Sequence, residues 1–344
     1  MTEVLLGKTL SELQEVALSV GLQKFAGKQL ANWLYVQRVS SFDQMTNISL
    51  KGREALQARY TIGRHAPVRE AVSVDGTRKY LFAVGEQFIE SVYIPEEDRA
   101  TLCVSTQAGC KMGCRFCMTG TLGFHGHLSA AEILNQIFEI DSLALANNLS
   151  PLTNLVFMGE GEPMDNLDNV LCALEIMTAD YGAAWSPKRI TVSTVGIPAM
   201  KRFLDESECH LAVSMHNPFP AERKEIMPAE KMMSIADVVA LLKQYDWSHQ
   251  RRVSFEYICW AGSNDTPQHA KELLRLLKGL NCRINLIRFH AGVDRAFPSS
   301  DEKTMEWLRD YLTNNGITTT IRKSRGEDIL AACGMLVNAL NTNH

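Results

Sequence analysis

Apolar residues recur at helical spacing at Leu10, Leu13, Val16, Ala17 and Val20, which predicts a helix with one buried face. Thr9-Leu-Ser-Glu12 stands at its start as a capping box, in which the Thr9 hydroxyl meets a free backbone N–H while Glu12 reaches back. Residues 27–37, with Trp33 and Leu34, and residues 50–60 predict two further helices, so residues 1–70 form a small helical domain in this reading. The pattern then changes to β-rich runs. Tyr80-Leu81-Phe82 and Phe88 to Ile94, separated by Gly85-Glu86, predict strands of a β extension over residues 71–100.

From residue 101 onward, strand, loop and helix patterns alternate. Short β-rich runs fall at 102–106, 154–159, 189–194, 210–215, 252–259 and 283–289. Helical patterns follow near 129–146, 166–178, 197–206, 234–245, 266–280 and 301–315, the first opened by a second capping box, Ser129-Ala-Ala-Glu132. Six consecutive βα units imply an α/β fold with a parallel sheet and outer helices, either a partial barrel or a doubly wound sheet. A run at 317–323 and a helix near 327–340 close the chain. In a parallel barrel, chemistry belongs at the C-terminal ends of the strands. There the chain places a cysteine loop after strand one, Gly159-Glu-Gly-Glu-Pro163 after strand two, Ser193 after strand three and Ser214-Met215-His216 after strand four.

Composition narrows the class. The 344 residues suffice for one large domain with an appendage, and 46% hydrophobic with 22% charged residues is ordinary for a globular protein. Apolar runs such as 152–158 are too short to span a membrane, and Met-Thr-Glu opens no secretory signal, so a cytoplasmic location is expected. A net charge of −4 argues against indiscriminate coating of nucleic acid. Residues 1–65 nevertheless carry eight Lys/Arg against five Asp/Glu, a balance of +3 that leaves −7 on the remainder. A modestly basic appendage can grip phosphates, although a balance this small is also ordinary for a solvated face. Basic pairs at Lys188/Arg189, Arg251/Arg252 and Arg322/Lys323 are further phosphate candidates that, as pairs, also read as surface charge.

The nine cysteines are the informative residues. In a reducing compartment, clustered thiols signal metal or catalysis rather than structural staples. Cys172, Cys209, Cys259 and Cys282 lie in apolar stretches and read as small buried hydrophobes. Cys110-Lys-Met-Gly-Cys114-Arg-Phe-Cys117 is different: three thiolates on one short loop can surround one metal centre. Structural zinc wants four ligands, and four-iron clusters are usually held by four cysteines. Three cysteines leave one iron open to bind substrate. A zinc site completed by His125 or His127 is the competing reading, and it would make the chain a zinc-stabilised RNA-binding module without turnover.

Placed after a first strand and before a capped helix, the C-x₃-C-x₂-C spacing resembles the radical S-adenosylmethionine (SAM) superfamily. The wider set is similar to the RlmN/Cfr family of RNA methyltransferases from about residue 8 to 337. It includes Asp98-Arg-Ala-Thr-Leu-Cys103-Val-Ser-Thr-Gln, Thr191-Val-Ser193-Thr, Ser214-Met-His216, Ile284-Asn-Leu-Ile287 and Arg325-Gly-Glu-Asp-Ile-Leu-Ala-Ala-Cys333-Gly. Arg99-Ala-Thr-Leu-Cys103 and Glu162-Pro163 resemble the RlmN type, which methylates adenine carbon 2; Cfr-type proteins, acting on carbon 8, typically have Ala where this chain has Pro163.

The resemblance implies a partial (β/α)6 TIM-like radical SAM barrel over 101–344, preceded by the RNA-docking helical domain and the β extension. It implies one 4Fe–4S cluster per chain on Cys110, Cys114 and Cys117, and two SAM molecules per turnover. Glu162 would accept from the SAM amino group, with further contacts from Gly161, Ser193, Ser214, Met215 and His216. Cys333 would carry the methyl group, Cys103 would resolve it through a transient disulfide, and Glu90 would accept the ring proton. Read from the residues alone, Cys103 is core and Cys333 incidental. The implied substrates are 23S rRNA and tRNA, served by an external one-electron donor and a disulfide reductant. The chain departs from the family at His290, which stands where Asn is usual and would donate the SAM hydrogen bond in its place, and at Glu160, where Met is usual.

Overall fold

The computed structural model describes residues 2–247, 251–290, 298–332 and 334–336. Near the N-terminus, β1 (Glu3–Val4) leads into α1 (Leu10–Ser19), and the Thr9/Glu12 capping box forms as expected. α2 (Ala26–Ala31) continues into a π-helical turn over Asn32–Val36; α3 (Leu50–Gln57) and β2 (Tyr60–Thr61) follow, and β2 pairs in parallel with β1.

Three antiparallel strands come next: β3 (Arg69–Val72), β4 (Arg78–Val84) and β5 (Gln87–Pro95). β6 (Ala100–Cys103) pairs antiparallel with β5 and parallel with the next strand of the sheet. The chain first makes a small hairpin, β7 (Gln107–Gly109) and β8 (Phe124–His127), enclosing α4 (Met118–Thr121). Then the βα alternation runs through α5 (Ala130–Ala146), β9 (Asn154–Phe157), α6 (Leu167–Thr178), β10 (Ile190–Thr194), α7 (Met200–Glu206) and β11 (His210–Ser214). It continues with α8 (Pro220–Ile226), α9 (Ile235–Leu242), β12 (Val253–Cys259), α10 (Pro267–Leu277), β13 (Arg283–Arg288), α11 (Glu302–Asn314) and β14 (Thr318–Arg322).

The main sheet has the order β14-β13-β12-β11-β10-β9-β6-β5-β4-β3. Seven neighbours from β6 to β14 are parallel, one more than the six βα units foreseen, because the run at 317–323 joins the sheet beside β13. Residues from β5, β6 and β9 to β14 line one interior cavity, so the sheet curves around a lumen. It stays open, since β3 and β14 are edges. Of the two architectures compatible with the alternation, the partial barrel is the one formed. α5 covers the wall: Ile133, Leu134, Ile137 and Phe138 are fully buried in one core with Leu102, Leu155 and Val192.

One expected element fails. The helix foreseen near 327–340 is, within the described residues, a single 3₁₀ turn at Glu327–Ile329. Gly326 (φ 63°) and Leu330 (φ 53°) bracket it in the left-handed region, which a right-handed helix cannot continue through. Among the described residues no helix is long and apolar enough to cross a membrane.

Candidate active site

The cysteine loop hangs between β7 and α4. The Cys110 amide donates to the Gly123 carbonyl at 2.8 Å, closing the hairpin beneath it. Gly109 must be glycine: its φ is +70° and a Cβ would stand 1.9 Å from the Gly123 oxygen. Cys110, Cys114 and Cys117 then line one cavity. Burial pushes the Cys110 thiol up to about 12, and it raises Cys114 and Cys117 as well. Each of Cys110 and Cys114 also feels the other two ligand thiols or one of them as a like charge, which adds to the shift. Such thiols ionise only beside a cation, as a cluster's iron provides.

The donor set fits an iron–sulfur cluster better than zinc. Among the described residues no three of His, Cys, Asp and Glu are grouped to hold a single metal ion. A cubane takes its thiolates on separate irons and needs no such convergence. The two histidines of the zinc reading are engaged elsewhere: His125 Nε2 bonds the Leu122 carbonyl and His127 Nδ1 meets Gln107.

Opposite the thiols stands the turn after β9. Gly161, at φ +99°, brings the backbone so close to Gln107 that a Cβ would lie 2.5 Å from that side chain. The Glu162 carboxylate accepts from Thr194 Oγ1 (2.7 Å), the Val195 amide (2.8 Å) and the Met164 amide (3.1 Å), tying the turn to the end of β10. Burial raises Glu162 to about 7 against the pull of these donors. Ser193, Ser214 and His216 line the same cavity.

His216 has a left-handed backbone, φ 55°, costing about 1–3 kcal/mol. It is held there by Asn264 Nδ2, which donates to its carbonyl at 2.6 Å. The Ile258 amide donates to its Nδ1 at 3.1 Å, so the proton of the neutral ring sits on Nε2. Burial lowers its pKa to about 3, and the ring stays neutral at physiological pH. Met215 is fully buried and contributes backbone: its amide donates to the Glu256 carbonyl and its carbonyl accepts from Arg223 Nε.

Arg223 escaped the sequence reading. Its fully buried guanidinium donates to the Met215 (2.9 Å), Ser214 (2.8 Å) and Val195 (2.6 Å) carbonyls and pairs with Glu230, bracing two strand ends that line the cavity. Nothing in Ala221-Glu-Arg-Lys-Glu225 distinguishes it from a solvated helix face. Glu256 was also missed, although a carboxylate inside the apolar run 253–259 is a visible anomaly. It accepts from Asn285 Nδ2 (2.7 Å) and pairs with Arg322 (3.3 Å).

Arg322 thus has a carboxylate partner on the wall shared by the cavities, and Arg251 spends its donors on the Leu204 and Cys209 carbonyls. The departure at Glu160 also has a structural account. Its buried carboxylate accepts the Glu90 amide at 2.7 Å and the Gly109 amide at 3.4 Å, linking β5 to the root of the cysteine loop.

A second chamber, the barrel lumen, adjoins the first. Cys103 and His290 line it, and Met158, Glu256, Ile287, Arg322, Gly334 and Leu336 line both. His290 hydrogen-bonds Ser324 and lies 3.4 Å from Glu327, and it is absent from the wall of the thiol cavity. Glu90 is buried on β5, with its carbonyl accepting from Ser105 Oγ at 2.6 Å. Cys333 lies outside the described residues. Its neighbours pack against Cys103 all the same: Ala331 and Leu336 are buried with Val92, and Cys103, Ile94 and Ile329 flank that cluster. The segment is also held from the cysteine-loop side, where the Met118 amide donates to the Gly334 carbonyl (2.8 Å) and Thr119 Oγ1 to that of Leu336 (3.1 Å).

Residues 4–62 match the family described as the ribosomal RNA large subunit methyltransferase N-terminal domain, and residues 104–277 match the radical SAM superfamily. A probable dual-specificity RNA methyltransferase RlmN of Bacteroides fragilis is 59% identical over 97% of this chain and 96% of its own length. The dual-specificity RNA methyltransferase RlmN of Syntrophus aciditrophicus is 40% identical over 95% of this chain and 94% of its own. A crystal structure of a radical SAM methyltransferase from Sphaerobacter thermophilus superposes with a TM-score of 0.91 at 36% identity, covering 98% of this chain and all (100%) of that one.

Proposed function

Because this chain belongs to the RlmN family of radical SAM RNA methyltransferases, we propose that it adds a methyl group to carbon 2 of an adenine in 23S rRNA and of the adenosine beside the tRNA anticodon. The observation that carries the reading is the shared wall. Gly334 and Leu336, on the C-terminal side of position 333, line both the chamber of the three thiols and Glu162 and the chamber of Cys103. A methyl carrier at 333 has to meet SAM, the base and a resolving thiol in turn, and a segment between the two chambers serves all three.

Adenine carbon 2 lies between two ring nitrogens and is electron-poor, so the electrophilic SAM methyl does not transfer to it directly. A Cys333 thiolate takes that methyl by ordinary displacement. Cys110, Cys114 and Cys117 would hold a 4Fe–4S cluster, which would supply the single electron needed to cleave a second SAM. Glu162 holds the ammonium of that SAM, and the Nε2–H of neutral His216 is a hydrogen-bond donor at the same wall. Glu90 removes the proton from carbon 2. Once the Cys333-borne carbon is joined to carbon 2, the Cys103 thiolate attacks the Cys333 sulfur. The sulfur–carbon bond breaks, its electron pair leaves with that carbon, which takes up a proton to become the methyl group, and a disulfide remains for an external reductant. The reading assigns one cluster per chain, two SAM consumed per methyl added, a separate one-electron donor and a disulfide reductant, for which a reducing cytoplasm is the fitting compartment. Residues 1–70 dock the RNA. The base must come from a loop or an unstacked site, because a paired adenine hides its edge.

Mass spectrometry of digested rRNA and tRNA from cells with and without the gene tests this directly. Loss of 2-methyladenosine from both RNAs is expected on deletion, whereas loss of 8-methyladenosine would transfer the reading to the Cfr type. Glu162→Gln tests the SAM site. Losing a charge-assisted hydrogen bond should weaken SAM binding about 10- to 100-fold, read by equilibrium dialysis with labelled SAM. Unchanged affinity would remove Glu162 from the ammonium site.

A further inference from the structure

Lys79 Nζ lies 3.0 Å from Glu90 Oε1 and 3.3 Å from the carbonyl oxygen of Leu330. A lysine in a surface hairpin ordinarily extends its ammonium into water, yet this side chain is only 12% exposed. Burying an ammonium is costly unless it is paired and hydrogen-bonded, and here both partners belong to the catalytic assembly.

The register explains how. Leu81 stands opposite Glu90 and Lys79 opposite Val92, so Lys79, Glu90 and Val92 share one face of the β4–β5 pair. Val92 is the residue on which Ala331 and Leu336 pack, with Cys103 at the margin. One face thus presents a carboxylate, an ammonium, the resolving thiol and the flanks of position 333.

The turn between β3 and β4 fastens the start of the same segment. Ser73 Oγ donates to Asp328 Oδ1 at 2.5 Å, and the Gly326 amide donates to Asp75 Oδ2 at 3.1 Å. Those bonds end at residue 328. Lys79 carries the docking on to Leu330, three residues before the methyl carrier.

We propose that Lys79 is a positioning residue that sets the Glu90 carboxylate and the backbone at Leu330, three residues before Cys333, in one fixed relation on the β4–β5 face. The proposal rests on the roles given above to Glu90 and Cys333. Its two partners act in consecutive steps, proton removal and then resolution of the Cys333 sulfur. A single ammonium bonded to both makes the geometry of one step depend on the other.

Lys79→Met keeps the side-chain stem and removes the charge; Lys79→Arg restores a cation. Hydrogen exchange of the protein without substrate reads the anchor. In Lys79→Met, amides of residues 329–332 and 334–336 should exchange at least about 10-fold faster, with the barrel strands unchanged and the arginine variant recovering most of the protection. Single turnover on RNA deuterated at adenine carbon 2 reads the acceptor. Loss of the charged contact should slow release of methylated RNA about 10- to 100-fold and raise its isotope effect, because proton removal becomes the slow step.

Wild-type exchange and a wild-type isotope effect in Lys79→Met would overturn the proposal, as would protection lost evenly across the protein. Glu90→Gln is the separate control. Wild-type turnover in that variant removes Glu90 as the acceptor, and with it that half of the proposal, whatever Lys79 does.

Discussion

Cys103→Ala is expected to stop after a single carbon–carbon bond has formed, leaving each active chain covalently joined to RNA. Cys103 sits on β6 between Val92 of β5 and Val156 of β9, half-buried and facing the lumen. Ala331, Ala332, Gly334 and Leu336 line the same chamber, so the segment bearing Cys333 is within its reach. Removing the Cys103 sulfur touches neither the three thiols nor Glu162, and the first methyl transfer and the bond to the base should proceed. Only the step that breaks the bond between the Cys333 sulfur and the new carbon lacks its nucleophile.

Denaturing gels with labelled RNA should show a shifted band that survives heat and detergent, at up to one RNA per chain, with no released 2-methyladenosine. The fold should tolerate the change, since trimming one sulfur at a half-buried position costs about 1 kcal/mol. Repeated turnover in Cys103→Ala would eliminate the resolving role. Cys103→Ser should behave like the alanine variant, because an alkoxide is a far poorer nucleophile toward sulfur than a thiolate.

Much of this architecture was legible in the chain itself, and the boundary of legibility is physical. The βα alternation showed because each parallel strand is buried and reads as an apolar run, while each helix keeps a polar face. The two capping boxes formed as read, at Thr9/Glu12 and Ser129/Glu132, since that motif depends only on residues three apart. The same locality made the cysteine loop and the turn at 159–163 stand out.

What escaped depends on contacts between distant segments. The hairpin of β7 and β8 is too short to establish a period. Cys103 and the C-terminal segment meet only because β5, β6 and that segment share a small cluster around Val92. Lys79 reaches Glu90 through the register of β4 on β5, which no spacing in sequence encodes. Arg223 is the extreme case: its role follows from three carbonyls that the fold delivers, and its own helix carries no trace of them. Among the described residues, the loss of the helix expected near 327–340 has the opposite cause. Its local pattern was helical, but the tertiary bonds of Gly326 and Asp328 to the β3–β4 turn hold a left-handed path that local propensity disfavours.

The widest effect of any single substitution should come from Cys114→Ala. Cys114 is buried, and burial together with Cys117 and Cys110 raises its thiol further than that of Cys110. Without metal the loop therefore holds three neutral thiols, and cluster assembly has to release their protons. Anaerobic reconstitution of the wild-type chain should quicken as pH rises from 7 toward 9, because the approach to thiol ionisation, near 12 for Cys110, favours the ligating form.

Removing Cys114 leaves two thiolates for three irons. Removing a mere second-sphere partner already costs about 10- to 100-fold in metal affinity, and loss of a direct ligand should exceed that. Iron and acid-labile sulfide should fall to near background, the brown colour and the reduced-cluster electron paramagnetic resonance signal should vanish, and 2-methyladenosine should not form. Circular dichroism should remain that of the wild type, since trimming one buried sulfur costs only about 1 kcal/mol. Cys282→Ala supplies the control: that thiol lines neither chamber, and its removal should leave iron content intact. A Cys114→Ala protein that still bound a full iron complement and methylated RNA would mean that the loop at 110–117 is not the cluster site. The thiol cavity would then need another occupant, and the methyl carrier at 333 another partner.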